Sequence, residues 1–320
     1  MERQAITVGK FFKEHGAALE LRLIAGEAGL DRVIREPTVN RPGLALSGFT
    51  RYFAYKRVQV MGNAEVYYLR EQRKEERATR YAYLFAYKVP CVVFSRGLKP
   101  DKEFMQAAAQ AGVPIFETPL VTMKFINKAT LELEMMFAPR TSEHGCMVDI
   151  LGVGAIIRGE SGIGKSEAVL ALIERGYSLV ADDVVKAVLV DGRNVLCTSS
   201  ALTRDHMEVR GIGIINVAQM FGVKAIRKDK KLDLIVTLKA WQEVTDVDRL
   251  GMEQEFVKIL GVDIPHVTIP VRPGRDIARL IEVAAFQAKL RKSGYNAAEE
   301  LNKRLLAQME EKPAKPLVSP

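Results

Sequence analysis

The sequence predicts an α/β protein built from two domains. From Ile6 to about Pro139, apolar strand-like runs alternate with helical patterns, which predicts an open, mostly parallel sheet. The polar stretch 138–142 ends the last of these helical patterns, and strands dominate beyond it. We therefore predict an N-terminal α/β domain over residues 1–138, a C-terminal domain over 139–312 and a disordered tail over 313–320.

The N-terminal half shows a simple alternation of elements. Predicted helices are Thr7–His15, Val66–Ala86, Lys102–Ala111 and Met123–Phe137, and predicted strands are Leu19–Ile24, Val58–Asn63 (with its turn), Cys91–Phe94 and Val113–Phe116. Arg41-Pro42-Gly43 lies in an irregular stretch, for which a structural turn and a ligand loop both remain open. We assign no chemistry to this half, and its function stays open.

The C-terminal half is richer in strands. Predicted strands are His144–Ile150, Val153–Ile157, Ser178–Ala181, Val184–Val190, Asn194–Thr198, Leu232–Leu238 and His266–Val271, and predicted helices are Glu167–Arg175, Asp276–Lys292 and Ala297–Glu311. Asp191-Gly192 between two apolar runs predicts a tight hairpin.

Composition restricts the class of protein. The chain has 320 residues, 48% of them apolar and 27% charged, which is typical of a globular protein with two cores. It contains no apolar run long enough for a membrane span and no signal-peptide pattern, so we expect a cytoplasmic location. Three scattered cysteines, without a CxxC pair, argue against a disulfide scaffold or a zinc site.

The net charge of +8 and the pI near 9.3 indicate phosphate-rich ligands or an acidic protein partner. Nucleic acid is not expected as a partner, because no basic motif with interleaved aromatic residues occurs.

A glycine-rich segment gives the strongest chemical signal. The match to G-x-x-x-x-G-K-[ST] consists of Gly159, Glu160, Ser161, Gly162, Ile163, Gly164, Lys165 and Ser166. Because a strand precedes this loop and a helix follows it, its backbone amides can surround phosphate oxygens at a helix N-terminus. Lys165 supplies a charge for the β- and γ-phosphates, and the Ser166 hydroxyl can bind Mg²⁺. The loop therefore predicts binding of a nucleoside triphosphate or another polyphosphate.

Two carboxylate segments could complete a phosphoryl-transfer site. Asp182-Asp183 follows an apolar strand, and only one of two adjacent carboxylates is expected to face the nucleotide. Glu208 and Arg210 are the charged residues of an apolar, glycine-rich segment. We expect both to be buried, with a hard cation as the partner of Glu208. The whole segment is Met207, Glu208, Val209, Arg210, Gly211, Ile212, Gly213, Ile214, Ile215 and Asn216.

Arginines and a histidine are further candidates. Arg249, Arg272 and Arg275 could bind phosphate. The last two belong to Pro270, Val271, Arg272, Pro273, Gly274 and Arg275, a loop that opens onto a helix N-terminus and so favours anions. For His144 the residue pattern leaves a packed core residue and an active-site residue both open.

Taken in order, these segments resemble the HPr kinase/phosphorylase family. The matching segments are His144-Gly145 with Val148-Asp149, Gly159–Glu167, Ala181-Asp182-Asp183, Met207–Asn216, Asp248-Arg249-Leu250-Gly251 and Pro270–Arg275. The resemblance is specific over residues 141–295 and looser over 1–135. Cys146 and Met147 stand where other small or aliphatic residues are usual.

The resemblance implies a fold close to the nucleotide domain of phosphoenolpyruvate carboxykinase and a homohexamer. It implies phosphorylation of a serine in the phosphocarrier HPr by ATP or pyrophosphate, and phosphorolysis of phosphoseryl-HPr by inorganic phosphate. Asp183 then corresponds to the shared acid/base, and Ser166 and Glu208 to Mg²⁺ ligands. Lys165 corresponds to a phosphate contact, and His144 and Arg249 to active-site residues. Pro270–Arg275 corresponds to the loop used mainly in dephosphorylation.

Two other classes of function stay open at this point. A P-loop kinase of a small metabolite would need a narrow, water-excluding pocket beside Asp183. A non-catalytic nucleotide-sensing regulator would use its basic surface instead.

Overall fold

A computed structural model describes residues 6–244 and 254–310 of the chain. Arg249 and the predicted tail over 313–320 therefore lie outside the described residues. Packing divides the chain into two units, Met1–Ala138 and Pro139–Pro320. Within the described residues, no helix is both long and apolar enough to cross a membrane.

The N-terminal unit is an open α/β sheet, as predicted. Its strands are β1 Ile6–Thr7, β2 Arg22–Ala25, β3 Val33–Ile34, β4 Val39–Asn40, β5 Val58–Met61, β6 Val92–Phe94 and β7 Ile115–Glu117. Its helices are α1 Val8–His15, α2 Gly43–Leu46, α3 Asn63–Glu71, α4 Lys74–Ala86, α5 Lys102–Ala111 and α6 Thr122–Phe137. The strand order in the five-stranded sheet is β2-β7-β6-β5-β4, and β4 to β7 are parallel.

Both faces of this sheet are covered. One core packs α1 and α6 against the sheet, and the other packs α2 to α5 against the opposite face. Consecutive strand residues contribute to opposite cores, as Val93 and Phe94 do, because side chains alternate along a strand.

The single helix predicted over Val66–Ala86 is wrong. The structure has two helices, α3 and α4, separated by Gln72 and Arg73 in extended conformation. The Arg73 amide donates a hydrogen bond to the Glu76 carboxylate (3.3 Å), which starts the second helix by capping its first turn. No glycine or proline marks this break, so the sequence pattern did not reveal it.

The C-terminal unit contains twelve strands among the described residues. They are β8 Arg140–His144, β9 Cys146–Ile150, β10 Val153–Gly159, β11 Ser178–Ala181, β12 Val184–Val190, β13 Asn194–Thr198, β14 His206–Val209, β15 Gly213–Asn216, β16 Asp229–Lys231, β17 Leu234–Ala240, β18 Glu255–Ile259 and β19 Val262–Val271. The helices are α7 Lys165–Glu174, α8 Val217–Phe221, α9 Ile277–Lys292 and α10 Ala297–Glu310.

A six-stranded sheet with the order β11-β9-β10-β17-β19-β18 forms the centre of this unit. One face packs against α7 and α9, and the other packs against a four-stranded sheet with the order β16-β13-β12-β8. β14 and β15 pair separately as a hairpin. The hairpin predicted at Asp191-Gly192 joins β12 to β13 and is confirmed; both turn residues have positive φ.

The strand predicted over His144–Ile150 is split at Gly145, which is a correction to the sequence reading. β8 belongs to the four-stranded sheet and β9 to the six-stranded one. Gly145 has φ +143°, and a Cβ there would lie 2.4 Å from the Ile157 carbonyl oxygen. Only glycine therefore lets the chain cross from one sheet to the other at this point.

Strand directions place four strand ends at one edge of the central sheet. β10 is parallel to β17, and β17 is parallel to β19. β11 runs in the same direction, because β10 and β11 are both antiparallel to β9, which lies between them. The carboxyl ends of β10, β11, β17 and β19 therefore share one edge, which we call the carboxyl edge.

Candidate active site

The predicted phosphate-binding loop lies at the carboxyl edge. It connects the end of β10 to the start of α7, and Gly159, Gly162 and Gly164 all have positive φ. The Lys165 ammonium donates hydrogen bonds to the carbonyl oxygens of Gly159 (2.9 Å) and Glu160 (2.8 Å). Since an ammonium has three donors, one remains for a phosphate oxygen. Ser166 is the second residue of α7, so its hydroxyl lies at the helix N-terminus.

Asp182 and Asp183 follow β11 at the same edge and differ sharply in exposure. Asp182 is buried, whereas Asp183 is exposed, as expected for two adjacent carboxylates. Asp183 has φ +62°, in the left-handed region. This sharp turn directs the chain from β11 into β12 and leaves the Asp183 side chain in solvent.

The buried Asp182 carboxylate has a partner on each oxygen. Its Oδ2 accepts a hydrogen bond from the Glu208 amide (3.0 Å), and its Oδ1 accepts one from the Cys146 thiol (2.9 Å). Burial, followed by the neighbouring Asp182 charge, raises the pKa of the Cys146 thiol far above its ordinary value, so the thiol stays protonated as a donor. Asp182 thus connects β9, β11 and the β14–β15 hairpin.

His144 lies next to Asp183 through backbone pairing. His144 pairs with Val184 across β8 and β12, and the Gly145 amide donates to the Asp183 carbonyl oxygen (2.9 Å). The His144 side chain is exposed at the end of β8, so it is not a packed core residue. The adjacent Glu143 forms an ion pair with Arg158 of β10, which fixes β8 against the strand that carries the loop.

Glu208 and Arg210 are not buried, which corrects the expectation from sequence. Both lie on the exposed side of the β14–β15 hairpin, where Ile212 and Ile214 are also 74% and 76% exposed. The Arg210 guanidinium reaches the loop and donates to the Ser161 hydroxyl (2.7 Å). It also fills the space beside Gly162, where an added Cβ would lie 2.7 Å from Arg210 Nη1.

An arginine pair surrounds the tryptophan at the ends of β17 and β19. Arg272 and Arg275 place their guanidinium carbons 4.9 and 5.9 Å from the centroid of the Trp241 ring. Pro270 and Val271 are the last residues of β19, and Gly274 turns the chain with φ +81°. Adjacent strands lie about 4.8 Å apart, so β10 and β19, with β17 between them, are separated by about 10 Å.

The helix N-terminus after this loop is not an open anion site, contrary to expectation. The Asp276 side chain caps α9 by accepting from the Arg279 amide (2.9 Å), and its other oxygen pairs with Arg175 (2.7 Å). The carboxylate repels an anion from the helix dipole. Any anion held there must therefore depend on Arg272 and Arg275.

Few side chains at the site could bind a hard cation, but those present are chemically suitable. The residues described include no cluster of three or more His, Cys, Asp or Glu side chains that could hold a metal. Mg²⁺ commonly uses one or two protein oxygens and completes its shell with phosphate oxygens and water. The Ser166 hydroxyl and the Glu208 carboxylate, which has no ion pair to another described residue, fit that pattern.

The site as a whole is an open face. Asp183, His144, Glu208 and the loop tip at Ser161 are exposed. The carboxyl edge thus joins phosphate-binding groups to an accessible carboxylate, which is the arrangement required for transfer of a phosphoryl group to an incoming hydroxyl. Arg249 lies outside the described residues, so its position relative to this face is not described.

Three features of the site were missed from sequence. They are Trp241, the link from Asp182 to Cys146, and the contact between Arg210 and Ser161. Trp241 is the only tryptophan of the chain and directly follows a buried apolar strand, a signal that could have placed it at the carboxyl edge. The two hydrogen bonds depend on strand pairing between distant segments, which leaves no local signal.

Comparison with known proteins gives a consistent result. A family model described as HPr Serine kinase C-terminal domain matches residues 135–305, and one described as HPr Serine kinase N terminus matches residues 6–133. Proteins called HPr kinase/phosphorylase in Leptospira biflexa and Geobacter sulfurreducens are 40% and 42% identical to this chain. The Leptospira alignment covers 94% of each chain and the Geobacter alignment 92% of each.

A solved structure, that of the Hpr(Ser) kinase/phosphatase from Coxiella burnetii, is 30% identical over the aligned part. The alignment covers 50% of this chain and 98% of that one, with a TM-score of 0.47.

We predict that Asp182→Asn loosens the β14–β15 hairpin. The amide that replaces one carboxylate oxygen cannot accept both hydrogen bonds, and an unsatisfied buried group costs about 1–3 kcal/mol. Hydrogen exchange should therefore accelerate at the Glu208 amide, with a lower melting temperature. Cys146→Ala removes only the thiol donor and should have a smaller effect on the same amide. Unchanged exchange at Glu208 in Asp182→Asn would contradict the connecting function of this carboxylate.

Proposed function

Because the chain belongs to the HPr serine kinase family, we propose that it transfers a phosphoryl group to a serine of the phosphocarrier protein HPr. ATP is the proposed donor, with pyrophosphate as an alternative. We also propose that the same site cleaves phosphoseryl-HPr with inorganic phosphate. The chain is thus a kinase, a phosphotransferase enzyme. The observation that carries the proposal is the open carboxyl edge, where the phosphate-binding loop follows β10 and the exposed Asp183 carboxylate follows β11, with β9 between the two strands.

In the forward reaction the loop binds the donor. The backbone amides of residues 159–166 surround the phosphates, and the free donor of Lys165 contacts a β- or γ-oxygen. The serine oxygen of HPr attacks the γ-phosphorus, the bond to the β-phosphate oxygen breaks, and Asp183 accepts the proton of the serine hydroxyl. His144, beside Asp183, is positioned to contact the transferred group or the acceptor.

Ser166 and Glu208 would hold Mg²⁺, which when bound neutralises charge on the donor phosphates. The backbone of Glu208 is fixed by Asp182, so the buried carboxylate positions the proposed metal ligand. Arg210, which already contacts the loop tip, adds positive charge close to the donor.

In the reverse reaction inorganic phosphate occupies the loop and attacks phosphoserine. The bond from phosphorus to the serine oxygen breaks, protonated Asp183 returns its proton to that oxygen, and pyrophosphate leaves. The attacking phosphate has no nucleoside to anchor it, so it depends more strongly on charge. We propose that Arg272 and Arg275 supply this charge, with the Trp241 ring holding both guanidinium groups in place.

The accessibility of the site supports a protein acceptor. A kinase of a small metabolite is expected to enclose its substrate and exclude water, whereas here the acceptor side is exposed around Asp183 and Glu208. The net charge of +8 also favours an acidic partner surface. A cytoplasmic location is proposed, since HPr is the proposed substrate.

We further propose a homo-oligomer, with a hexamer as the expected state. The support within the chain is α10, which presents Leu301, Leu305 and Leu306 with 56%, 50% and 52% of their surface exposed. An apolar helix face of this kind is stabilised when another subunit covers it.

The proposal is tested by incubating the protein with ATP labelled on the γ-phosphate, Mg²⁺ and purified HPr. We expect stoichiometric label on one HPr serine, located by mass spectrometry, and release of pyrophosphate when phosphoseryl-HPr is mixed with inorganic phosphate. Hydrolysis of ATP without labelled HPr, or label on a small metabolite of a cell extract instead, would contradict it.

We predict that Lys165→Ala and Ser166→Ala each lower the phosphorylation rate about 10²–10³-fold, since the first removes a contact to the donor phosphates and the second a proposed ligand of Mg²⁺. The fold should remain intact because both residues lie in the first turn of α7, outside the buried core, and alanine favours a helix. Lys186→Ala, an exposed lysine of β12, is the control and should keep wild-type turnover. Near-normal turnover in Lys165→Ala would contradict the assignment of the loop.

Asp183→Asn should lower both directions of the reaction, each by about 10²–10⁴-fold, because one carboxylate is base in one direction and acid in the other. Asparagine tolerates the left-handed conformation at this position, so the fold should remain intact. Asp191→Asn, at another left-handed aspartate in the exposed β12–β13 turn, is the matched control. Phosphorolysis at wild-type speed in Asp183→Asn would show that the acid is another group.

Arg275→Ala should weaken phosphorolysis about 10- to 100-fold, the loss of one charge-assisted contact of about 1.5–3 kcal/mol. Phosphorolysis and the pyrophosphate-driven kinase reaction are one reaction in two directions, and a substitution in the enzyme cannot change its equilibrium constant. The kcat/KM values of the two directions should therefore fall by the same factor. ATP-driven phosphorylation should fall less, because base, ribose and α-phosphate add binding energy.

Two further variants complete this test. Trp241→Leu keeps both arginine charges but removes the ring that contacts them. This variant should lower phosphorolysis a few-fold and ATP-driven phosphorylation less. Arg193→Ala, an exposed arginine in the β12–β13 turn, is the control. An ATP reaction reduced as strongly as phosphorolysis would show that Arg275 serves the transition state common to both donors.

A further inference from the structure

The N-terminal unit, to which the proposed reaction assigns no chemistry, contains a cleft of about 410 Å³. It lies between α3, α4 and the loop that leads from β6 to α5. In open α/β sheets, ligands bind outside the carboxyl ends of the strands, and Phe94 at the carboxyl end of β6 lines this cleft. The volume lies within the range of small-molecule sites.

An arginine in the cleft wall has no adequate acceptor. The Arg77 side chain is only 21% exposed, and its nearest acid partner is Asp101 Oδ2, 3.9 Å from Nη1. Its Nε is fully buried, and the side chain makes no hydrogen bond to any residue within 6–244 or 254–310. A largely buried guanidinium whose carboxylate partner lies beyond hydrogen-bond distance is rare, because buried polar groups are normally hydrogen-bonded. The arginine is therefore a ready site for an anionic group.

The one carboxylate in the wall is already engaged. Asp101 Oδ1 caps α5 by accepting from the Phe104 amide (2.7 Å), and Oδ2 accepts from the Tyr81 hydroxyl (2.7 Å). Burial, followed by the hydrogen bond to Asp101, raises the pKa of Tyr81, so the hydroxyl remains a donor to that carboxylate. Asp101 thus cannot approach Arg77 without losing both contacts.

Two more cations line the cleft. Arg70 lies 5.2 Å from the Tyr67 ring centroid, and Lys99 is exposed at the rim. Neither forms an ion pair with a carboxylate in the described part of the chain. Phe94 and Phe104 form the buried floor beneath the cleft, where their rings meet edge to face in the core. The cleft therefore offers three positive groups and one carboxylate that is already engaged.

We propose that this cleft binds a small organic anion, with a phosphate or carboxylate group at Arg77 and the rest of the molecule beside Arg70 and Lys99 at the rim. Arginine suits both anionic groups because its N–H donors match their oxygens in pairs. The cleft is lined by residues of the N-terminal unit alone, and its existence does not depend on the function proposed for the phosphate-binding loop.

The test compares three probes that share an aromatic ring: phenyl phosphate, benzoate and the uncharged benzyl alcohol. Calorimetric titrations use the full chain with Lys165→Ala, which weakens phosphate binding at the loop. We expect at least one of the two anions to bind saturably and benzyl alcohol not to bind. Saturable binding of phenyl phosphate alone identifies a phosphate ligand, and binding of both anions identifies a general carboxylate or phosphate site.

Arg77→Gln in the same background should weaken anion binding about tenfold or more. Arg73→Gln, an exposed arginine one turn away that does not line the cleft, is the matched control and should bind normally. Because Arg77→Gln removes only the long ion pair with Asp101 (3.9 Å), the melting temperature in the absence of probe should change little. If that variant fails to fold, Lys99→Gln and Arg70→Gln at the exposed rim carry the same comparison.

Three results would overturn the proposal. These are equal anion binding by the cleft variants and Arg73→Gln, equal binding of benzyl alcohol and the anions, and no saturable binding of either anion at millimolar concentration.

Discussion

The buried carboxylate of Asp182 is the interaction on which the catalytic face depends. Its two oxygens join β11 to the Cys146 thiol of β9 and to the Glu208 amide of the β14–β15 hairpin. β9 in turn lies between β10 and β11 and sets both in the same direction. One side chain thereby fixes the strand that precedes Asp183 relative to the hairpin that carries Glu208 and Arg210. Because the carboxylate is buried, loss of either donor would leave an uncompensated oxygen.

The sequence was sufficient for the parts of the site that depend on local pattern. The glycine loop and the hairpin at Asp191-Gly192 each require particular residue types at fixed spacing, so the residues alone predicted them. The exposure of Glu208 and Arg210 was wrongly predicted, because a two-stranded hairpin beside the sheet can be apolar in composition and still face solvent. The split at Gly145 depends on a contact with Ile157, which lies on another strand.

The same distinction applies to the basic residues. Arg272 and Arg275 were candidates from sequence, but the supposed anion site at the start of α9 is occupied by the Asp276 side chain. The partner of both arginines is instead Trp241, which comes from the neighbouring strand end. A single arginine in a helical pattern, such as Arg77, gives no sign in the sequence that its guanidinium will be buried without an acceptor. Such features follow from tertiary packing, which pattern alone does not specify.

The central claim is that the donor phosphates bind in the loop over residues 159–166, with Asp183 facing the γ-phosphate. The most direct measurement is an experimental structure of the full chain with Mg²⁺ and a non-hydrolysable ATP analogue. We expect β- and γ-phosphates against the loop amides and Lys165, with the Asp183 carboxylate on the side of the γ-phosphorus opposite the leaving oxygen. Phosphates bound elsewhere, or an Asp183 carboxylate directed away from the γ-phosphate, would contradict it.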